Sequence, residues 1–331
     1  MKKRPISRIV SIIGGAVVLA AAVFYFTGLR VAWAPTPQLS SGVREASLEY
    51  GGHTRTHLLY VPQRRRPNPP LVLVLHGSLS SGAEMRRMNA YEFDTLADEH
   101  GFVVAYPDAY EGIWNACRKS INPPSRQDGI DDVGYLNALI DHLAASEGID
   151  PHKVFATGYS NGGAIAMRLA LETPQRLAGL AVVAMNLPPD DNSLCEKSDV
   201  PVPFLLINGS DDPIIPDAGG SVTLFGFDRG RVQSSEATVD YFRALAGHPK
   251  APQVETLPDT VSDDGSTIER RTWRRLGRPE VVHYVVHGGG HATPHPVVRL
   301  SPFVVGATNA DVSGPQEIWS FFARVLMAPP A

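Results

Sequence analysis

The pentapeptide Gly158-Tyr159-Ser160-Asn161-Gly162 matches the pattern G-x-S-x-G and lies between an apolar run, Val154 to Thr157, and a helical stretch, Ala164 to Leu171. A serine at a tight strand-to-helix turn has a strained backbone and an exposed hydroxyl, with glycines two positions either side leaving room for the turn. Such a hydroxyl attacks a carbonyl carbon when a base takes its proton and an acid orients the base. The N–H of Asn161, at a helix start, would face the negative charge that develops. An inert serine in a Gly-rich turn is the competing reading of these five residues alone.

The base has several candidates, because HYVVHGGGHATPH sets His283, His287, His291 and His295 four residues apart. On one helix they would stack as a metal site. However, His283 falls inside the strand pattern VVHYVV, and three glycines separate His287 from His291. A continuous helix is therefore disfavoured, and no metal is expected. His291, at the far end of the glycine turn, is the expected base. His287 reads as a structural loop residue and His295, between two prolines, as a residue of the site rim or surface. The acid lies in Asn208-Gly209-Ser210-Asp211-Asp212-Pro213, after the strand-like PFLLI, where Asp211 and Asp212 compete and Asp217 is a third choice. Serine, acid and histidine then all leave strand ends on one rim of a sheet, where ligands bind in open α/β folds. A second oxyanion donor is expected at the N–H of Ser78, in Leu75-His76-Gly77-Ser78 at the end of an early strand; His76 itself reads as structural.

The elements that must position these residues alternate. Arg55 to Val61, Leu71 to Leu75, Phe102 to Ala105, Val154 to Thr157, Ala178 to Met185, Phe204 to Ile207 and Val281 to Val286 read as strands. Helical stripes fall at Asp131 to Ala145, Ala164 to Leu171, Glu236 to Leu245 and Glu317 to Leu326. Near-continuous Val/Leu/Ile runs imply strands covered on both faces, hence a largely parallel sheet in one α/β domain. Asp131 and Asp132 precede a helix and read as capping residues rather than a catalytic carboxylate pair.

The chain has 331 residues, is 43% hydrophobic and 19% charged, and carries a net charge of −4, which gives no reason to expect a nucleic-acid partner. The basic run Gln63-Arg64-Arg65-Arg66-Pro67 reads as a solvated loop. Lys2, Lys3, Arg4 and Arg8 precede an uncharged stretch from Ile9 to Leu29, which as a helix would extend ~31 Å, enough to cross a bilayer core. Residues 1–33 are thus expected to be a signal anchor, or a signal peptide cleaved near Ala32-Trp33-Ala34. Basic residues before the span would hold that end in the cytoplasm and send the body outward. The expected protein is exported: membrane-anchored with its domain on the periplasmic or extracellular side, or secreted if cleaved. Residues 34–43 read as a Pro/Ser linker and 44–331 as the domain. Cys117 and Cys195 suit an oxidising compartment, although spacing alone does not show that they pair.

With these residues placed, the chain resembles the esterase family that includes poly(3-hydroxybutyrate) depolymerases and the feruloyl and acetylxylan esterases of carbohydrate esterase family 1. The likeness spans roughly residues 55 to 325. It rests on LVLVLHGS, FDTLADEHGFVVAYPDAYEGIWNAC, DDVGYLNALID, GYSNGGAIAMRLA, NGSDDPIIP, GGGHATP and ATNADVSGPQEIWSFF. The resemblance implies an α/β-hydrolase fold, with Ser160 as nucleophile, His291 as base and Asp212 as the preferred acid. It implies a serine ester hydrolase needing no metal or organic cofactor. The substrate would carry polysaccharide-linked feruloyl or acetyl groups, or be a hydroxyalkanoate polyester or oligoester. An acyltransferase with the same residues, a serine peptidase and a non-catalytic envelope binding protein are the alternatives. This chain departs from the family at Thr293, where a tryptophan is common, and at Asn208, where histidine is common. Trp114 and Asn115 follow FVVAYPD in a loop, where an exposed tryptophan would stack on a sugar or aromatic acyl group; with Thr293 they are the expected substrate-binding residues. Oligomeric state is not legible.

Overall fold

The computed structural model describes residues 31–224 and 226–328. The span expected at Ile9 to Leu29 lies outside them, and among the described residues no helix is long and apolar enough to cross a membrane. Residues just before and within the stretch expected as a linker contact the domain. Ala32 pairs with Arg299, the Arg87 guanidinium lies over the Trp33 ring, and Ser40 N–H donates to Asp98 Oδ2 at 2.8 Å.

The strands are β1 (Arg44–Tyr50), β2 (His53–Tyr60), β3 (Leu71–Leu75), β4 (Val103–Pro107), β5 (Val154–Tyr159), β6 (Gly179–Val183) and β7 (Phe204–Gly209), then β8 (Gly220–Leu224), β9 (Phe227–Val232), β10 (Gln253–Thr256), β11 (Thr267–Trp273) and β12 (Val281–His287). Ten of them form one sheet in the order β1-β2-β4-β3-β5-β6-β7-β12-β11-β10, while β8 and β9 make a separate hairpin. The centre, β4-β3-β5-β6-β7-β12, is parallel, and β1, β2, β10 and β11 add antiparallel edges.

Burial on both faces explains the composition of the centre. In β3, Leu71, Leu73 and Leu75 pack into one apolar layer, and the intervening Val72 and Val74 into the other. The first layer is closed by α4 (Asp132–Glu147), α5 (Asn161–Glu172) and α6 (Ser235–Leu245), preceded in the chain by α1 (Gly82–Met88), α2 (Glu92–His100) and α3 (Pro124–Gln127). The second is closed by α1, α2 and the last helix, α8 (Gly314–Met327), which follows the short α7 (Pro302–Val305). Each full burial of a large apolar side chain contributes roughly 1.5–3 kcal/mol, so the two layers, rather than the edges, hold the parallel strand ends in register.

Two features test the packing. Cys117 and Cys195 form a disulfide across a sequence separation of 78, joining the segment after β4 to the segment after β6. Closing so long a loop restricts the unfolded chain, and the double Cys117→Ser/Cys195→Ser variant is expected to lose roughly 4 kcal/mol of stability in urea unfolding. His283, inside β12, is buried with no partner for Nε2. Burial, reinforced by repulsion from Arg271, lowers its pKa to about 3. The unfolded chain binds this proton near pH 6.5 while the folded one does not, so the neutral ring's contribution is complete above that pH. It is lost progressively as the pH falls from about 6.5 toward 3, by at most about 1.4 kcal/mol per pH unit. His283→Met should flatten the acid side of the stability profile by that slope; an unchanged slope would refute this assignment.

Candidate active site

Ser160 sits between β5 and α5 at φ 53° and ψ −119°, a conformation rare for a residue with a side chain. The flanking glycines allow it by close approach. A Cβ on Gly158 would lie 2.2 Å from the Gly162 carbonyl oxygen, and one on Gly162 would lie 2.1 Å from that of Leu75. Helix α5 can therefore begin directly against β3 and β5, with the serine on the outside of the bend.

His291 is brought to the same rim by the glycine turn after β12. Its backbone N–H donates to Val305 O at 2.5 Å, and its carbonyl accepts from the Tyr159 hydroxyl at 2.7 Å. The Tyr159 ring lies against the imidazole, with centroids 5.0 Å apart. Burial, with the charge of Asp212 nearby, raises the Tyr159 pKa, so the hydroxyl stays a neutral donor. Imidazole Nδ1 lies 2.7 Å from Asp212 Oδ2, both side chains buried. Asp212 Oδ1 accepts from the N–H groups of Ile214 and Ile215 at 2.7 and 2.8 Å. A carboxylate only accepts, so Nδ1 carries the proton and Nε2 presents its lone pair. Of the competing acids, Asp211 is exposed and accepts from the Ser210 hydroxyl, and Asp217 accepts from the Ser235 hydroxyl.

Ser160, His291 and Ser78 line one cavity of about 690 Å³, together with apolar side chains such as Ile113, Ile214 and Val222. Asn161 opens α5, so its backbone N–H has no helical acceptor. Its side chain is turned away: Oδ1 accepts from Trp114 N–H at 2.7 Å.

The expected substrate-binding residues lie elsewhere. Trp114 is fully buried, not exposed for stacking. Its indole Nε1–H donates to His76 O at 2.9 Å, so both of its N–H groups are satisfied internally and it braces the end of β3 against the start of α5. Asn115 is held by Asp132, Ile130 and Arg126 and does not reach the cavity. The Thr293 methyl faces Gly314, where an added Cβ would meet it at 2.5 Å, so it too lines no part of the cavity. His295 is buried rather than at the surface, with Nε2 2.9 Å from Glu92 Oε1 and Nδ1 accepting from Val297 and Val298. His287, ending β12, is exposed. Asp131 caps α4 through Gly134 N–H, while Asp132 forms a buried ion pair with Arg55 at 2.6 Å. No group of three or more His, Cys, Asp or Glu among the described residues is arranged to hold a metal.

Two contributors left no signal in the sequence. Tyr159 occupies a variable position of the motif, which any residue type satisfies. Arg118 lines the cavity although it is next to a cysteine in a polar loop, the setting of an ordinary solvated arginine.

Residues 58–224 match the model of the phospholipase/carboxylesterase family. The chain belongs to that family. NocK of Nocardia uniformis subsp. tsuyamanensis, named as a candidate esterase, is 32% identical over 84% of this chain and 81% of its own length. Poly(3-hydroxyalkanoate) depolymerase C of Paucimonas lemoignei is 26% identical over 71% of this chain, which spans only 58% of that protein. Among solved structures, acetyl xylan esterase from Aspergillus awamori superposes with a TM-score of 0.54 at 15% identity, covering 86% of this chain and 99% of that one, a likeness of fold. This member of the phospholipase/carboxylesterase family is accordingly an ester hydrolase with an α/β-hydrolase fold.

The geometry separates the two adjacent aspartates. Asp212→Asn should lower kcat on p-nitrophenyl butyrate by about 10⁴-fold, as loss of the orienting carboxylate does in comparable triads. Asp211→Asn should change it less than about threefold, since its carboxylate meets only Ser210. Equal losses in the two variants would refute the assignment.

Proposed function

We propose that this family member is an exported serine esterase acting through an acyl-enzyme. The observation that carries the reading is the buried His291–Asp212 pair, set in the wall of the cavity to which the bend at Ser160 presents its side chain. Ser160 Oγ attacks the ester carbonyl carbon while its proton passes to His291 Nε2. Asp212 stabilises the imidazolium at Nδ1. The N–H groups of Ser78 and Asn161 hold the tetrahedral oxyanion, each such donor contributing on the order of 3–4 kcal/mol in comparable sites. The C–O bond to the alcohol breaks as the imidazolium protonates the departing oxygen. Water, deprotonated by His291, then attacks the acyl carbon, the acid leaves and Ser160 recovers its proton.

The depolymerase named above, and a relative named as a bifunctional acetylxylan esterase/xylanase, support hydroxyalkanoate esters or acyl groups on polysaccharide as substrates. The disulfide favours an oxidising compartment. The basic, then apolar, N-terminal sequence supports an export signal or anchor within residues 1–33, followed by the segment 34–43 and the catalytic domain 44–331.

Ser160→Ala should abolish hydrolysis of p-nitrophenyl butyrate and labelling by a fluorophosphonate while leaving the circular dichroism spectrum unchanged. Turnover retained by a folded Ser160→Ala protein would rule the mechanism out. A panel of acetylated xylan, methyl ferulate and polyhydroxybutyrate then ranks the natural ester classes.

A further inference from the structure

The cavity wall holds a cation with nothing to neutralise it. Arg118 is 8% exposed, yet its guanidinium forms no ion pair and no hydrogen bond with any described residue, and Nη1 is buried without a partner. The other buried arginine among the described residues, Arg55, is paired with Asp132 at 2.6 Å. Arg229 lines the same cavity and also forms no ion pair among the described residues. The cavity's one carboxylate besides the triad's surroundings, Asp228, is exposed and accepts from Gly230 N–H. Burial, followed by repulsion from Arg229, lowers the Arg118 pKa to about 10, so no carboxylate compensates it, although it remains charged at neutral pH.

An unpaired buried charge is costly, and this one is held deliberately in place. Its neighbour Cys117 is locked to Cys195, its backbone bridges Ser193, and its carbonyl accepts from Arg126 Nη1 at 2.7 Å. Arg126 also binds the carbonyls of Ala116 and Ile121. The backbone that carries Arg118 is thus fixed in the wall of the chamber that contains Ser160 and His291, and a planar five-donor guanidinium is suited to receiving a carboxylate in two parallel bonds.

We infer that Arg118 receives a carboxylate carried by the ester substrate, so that the cavity selects esters with an anionic end over neutral esters of the same size. This rests on the serine-esterase reading and narrows its substrate class. The free carboxylate terminus of a hydroxy-acid oligoester has this chemistry on the alcohol side of the scissile bond. A half-ester of a dicarboxylic acid has it on the acyl side.

Two size-matched pairs distinguish these sources: mono-p-nitrophenyl adipate against the p-nitrophenyl ester of adipic acid monoamide for the acyl side, and 3-butyryloxybutyrate against 3-butyryloxybutyramide for the alcohol side. In the full-length wild-type protein, kcat/KM is expected to favour the anionic member of one pair by at least about tenfold, and that pair names the side. Arg118→Met should lower the anionic-to-neutral ratio for that pair by roughly 10- to 100-fold, the range for a charged hydrogen-bond partner. Arg118→Lys, which keeps the charge and loses the fork, should give an intermediate ratio, and it carries the test if the Met variant does not fold by circular dichroism. A wild-type ratio near one in both pairs, or a ratio unmoved by substitution, overturns the inference while leaving the esterase reading intact. Failure of the wild type to turn over any of the four esters, with Ser160 unlabelled by fluorophosphonate, overturns both.

Discussion

The buried hydrogen bond between His291 Nδ1 and Asp212 Oδ2 constrains everything around it. Neither partner is tolerable alone in that environment, because an uncompensated buried carboxylate or a misoriented ring leaves polar atoms without partners. The surroundings supply the compensation. Two backbone N–H groups complete Asp212, and the Tyr159 hydroxyl and Val305 carbonyl clamp the backbone of His291. The loops after β7 and β12 are also tied directly, Asp211 N–H to Gly289 O and Ser210 N–H to Val286 O. These bonds join neighbouring parallel strands, so the pair inherits the rigidity of the sheet centre rather than the mobility of loops.

Ser160 is held by a different device. Its positive φ stores strain that persists because the surroundings leave α5 no other entry. Gly162 lets the helix touch the end of β3, and the buried Trp114 ties Asn161 to His76. A large aromatic expected to serve substrate instead supports the backbone next to both proposed oxyanion donors. Rigidity there has a functional consequence, since donors aimed in advance at a developing charge need no reorganisation when it forms.

The cavity combines an apolar lining with His291, backed by Asp212, the exposed Asp228 and the two arginines. The Asp212 carboxylate is satisfied by hydrogen bonds from His291 and two backbone N–H groups, whereas the Arg118 guanidinium has no partner among the described residues. In a poorly solvated wall such a cation dominates the local field. The disulfide therefore acts beyond chain entropy, fixing the backbone from which that charge projects.

The sequence by itself determined the parallel core, since strands buried on both faces must be continuously apolar, and LVLVL and VVHYVV admit no half-solvated alternative. It also singled out Ser160 as the candidate nucleophile, because few contexts demand glycine at both 158 and 162. The edge strands escaped it: Gln253 to Thr256 is wholly exposed and leaves no pattern, and Arg44 to Tyr50 is only half-buried on the face of Ala46, Leu48 and Tyr50, a weak alternation among polar residues. Choosing Asp212 over Asp211 on residues alone was equally out of reach, for adjacent identical side chains differ only in which one the β7 turn points inward. Only the tertiary structure decided the pairing of the two cysteines, the burial of Trp114, the retreat of Asn115 and Thr293 from the cavity, and the entry of Arg118. Each of these depends on a loop's path past distant elements, and a loop path is set by long-range contacts that no local period records.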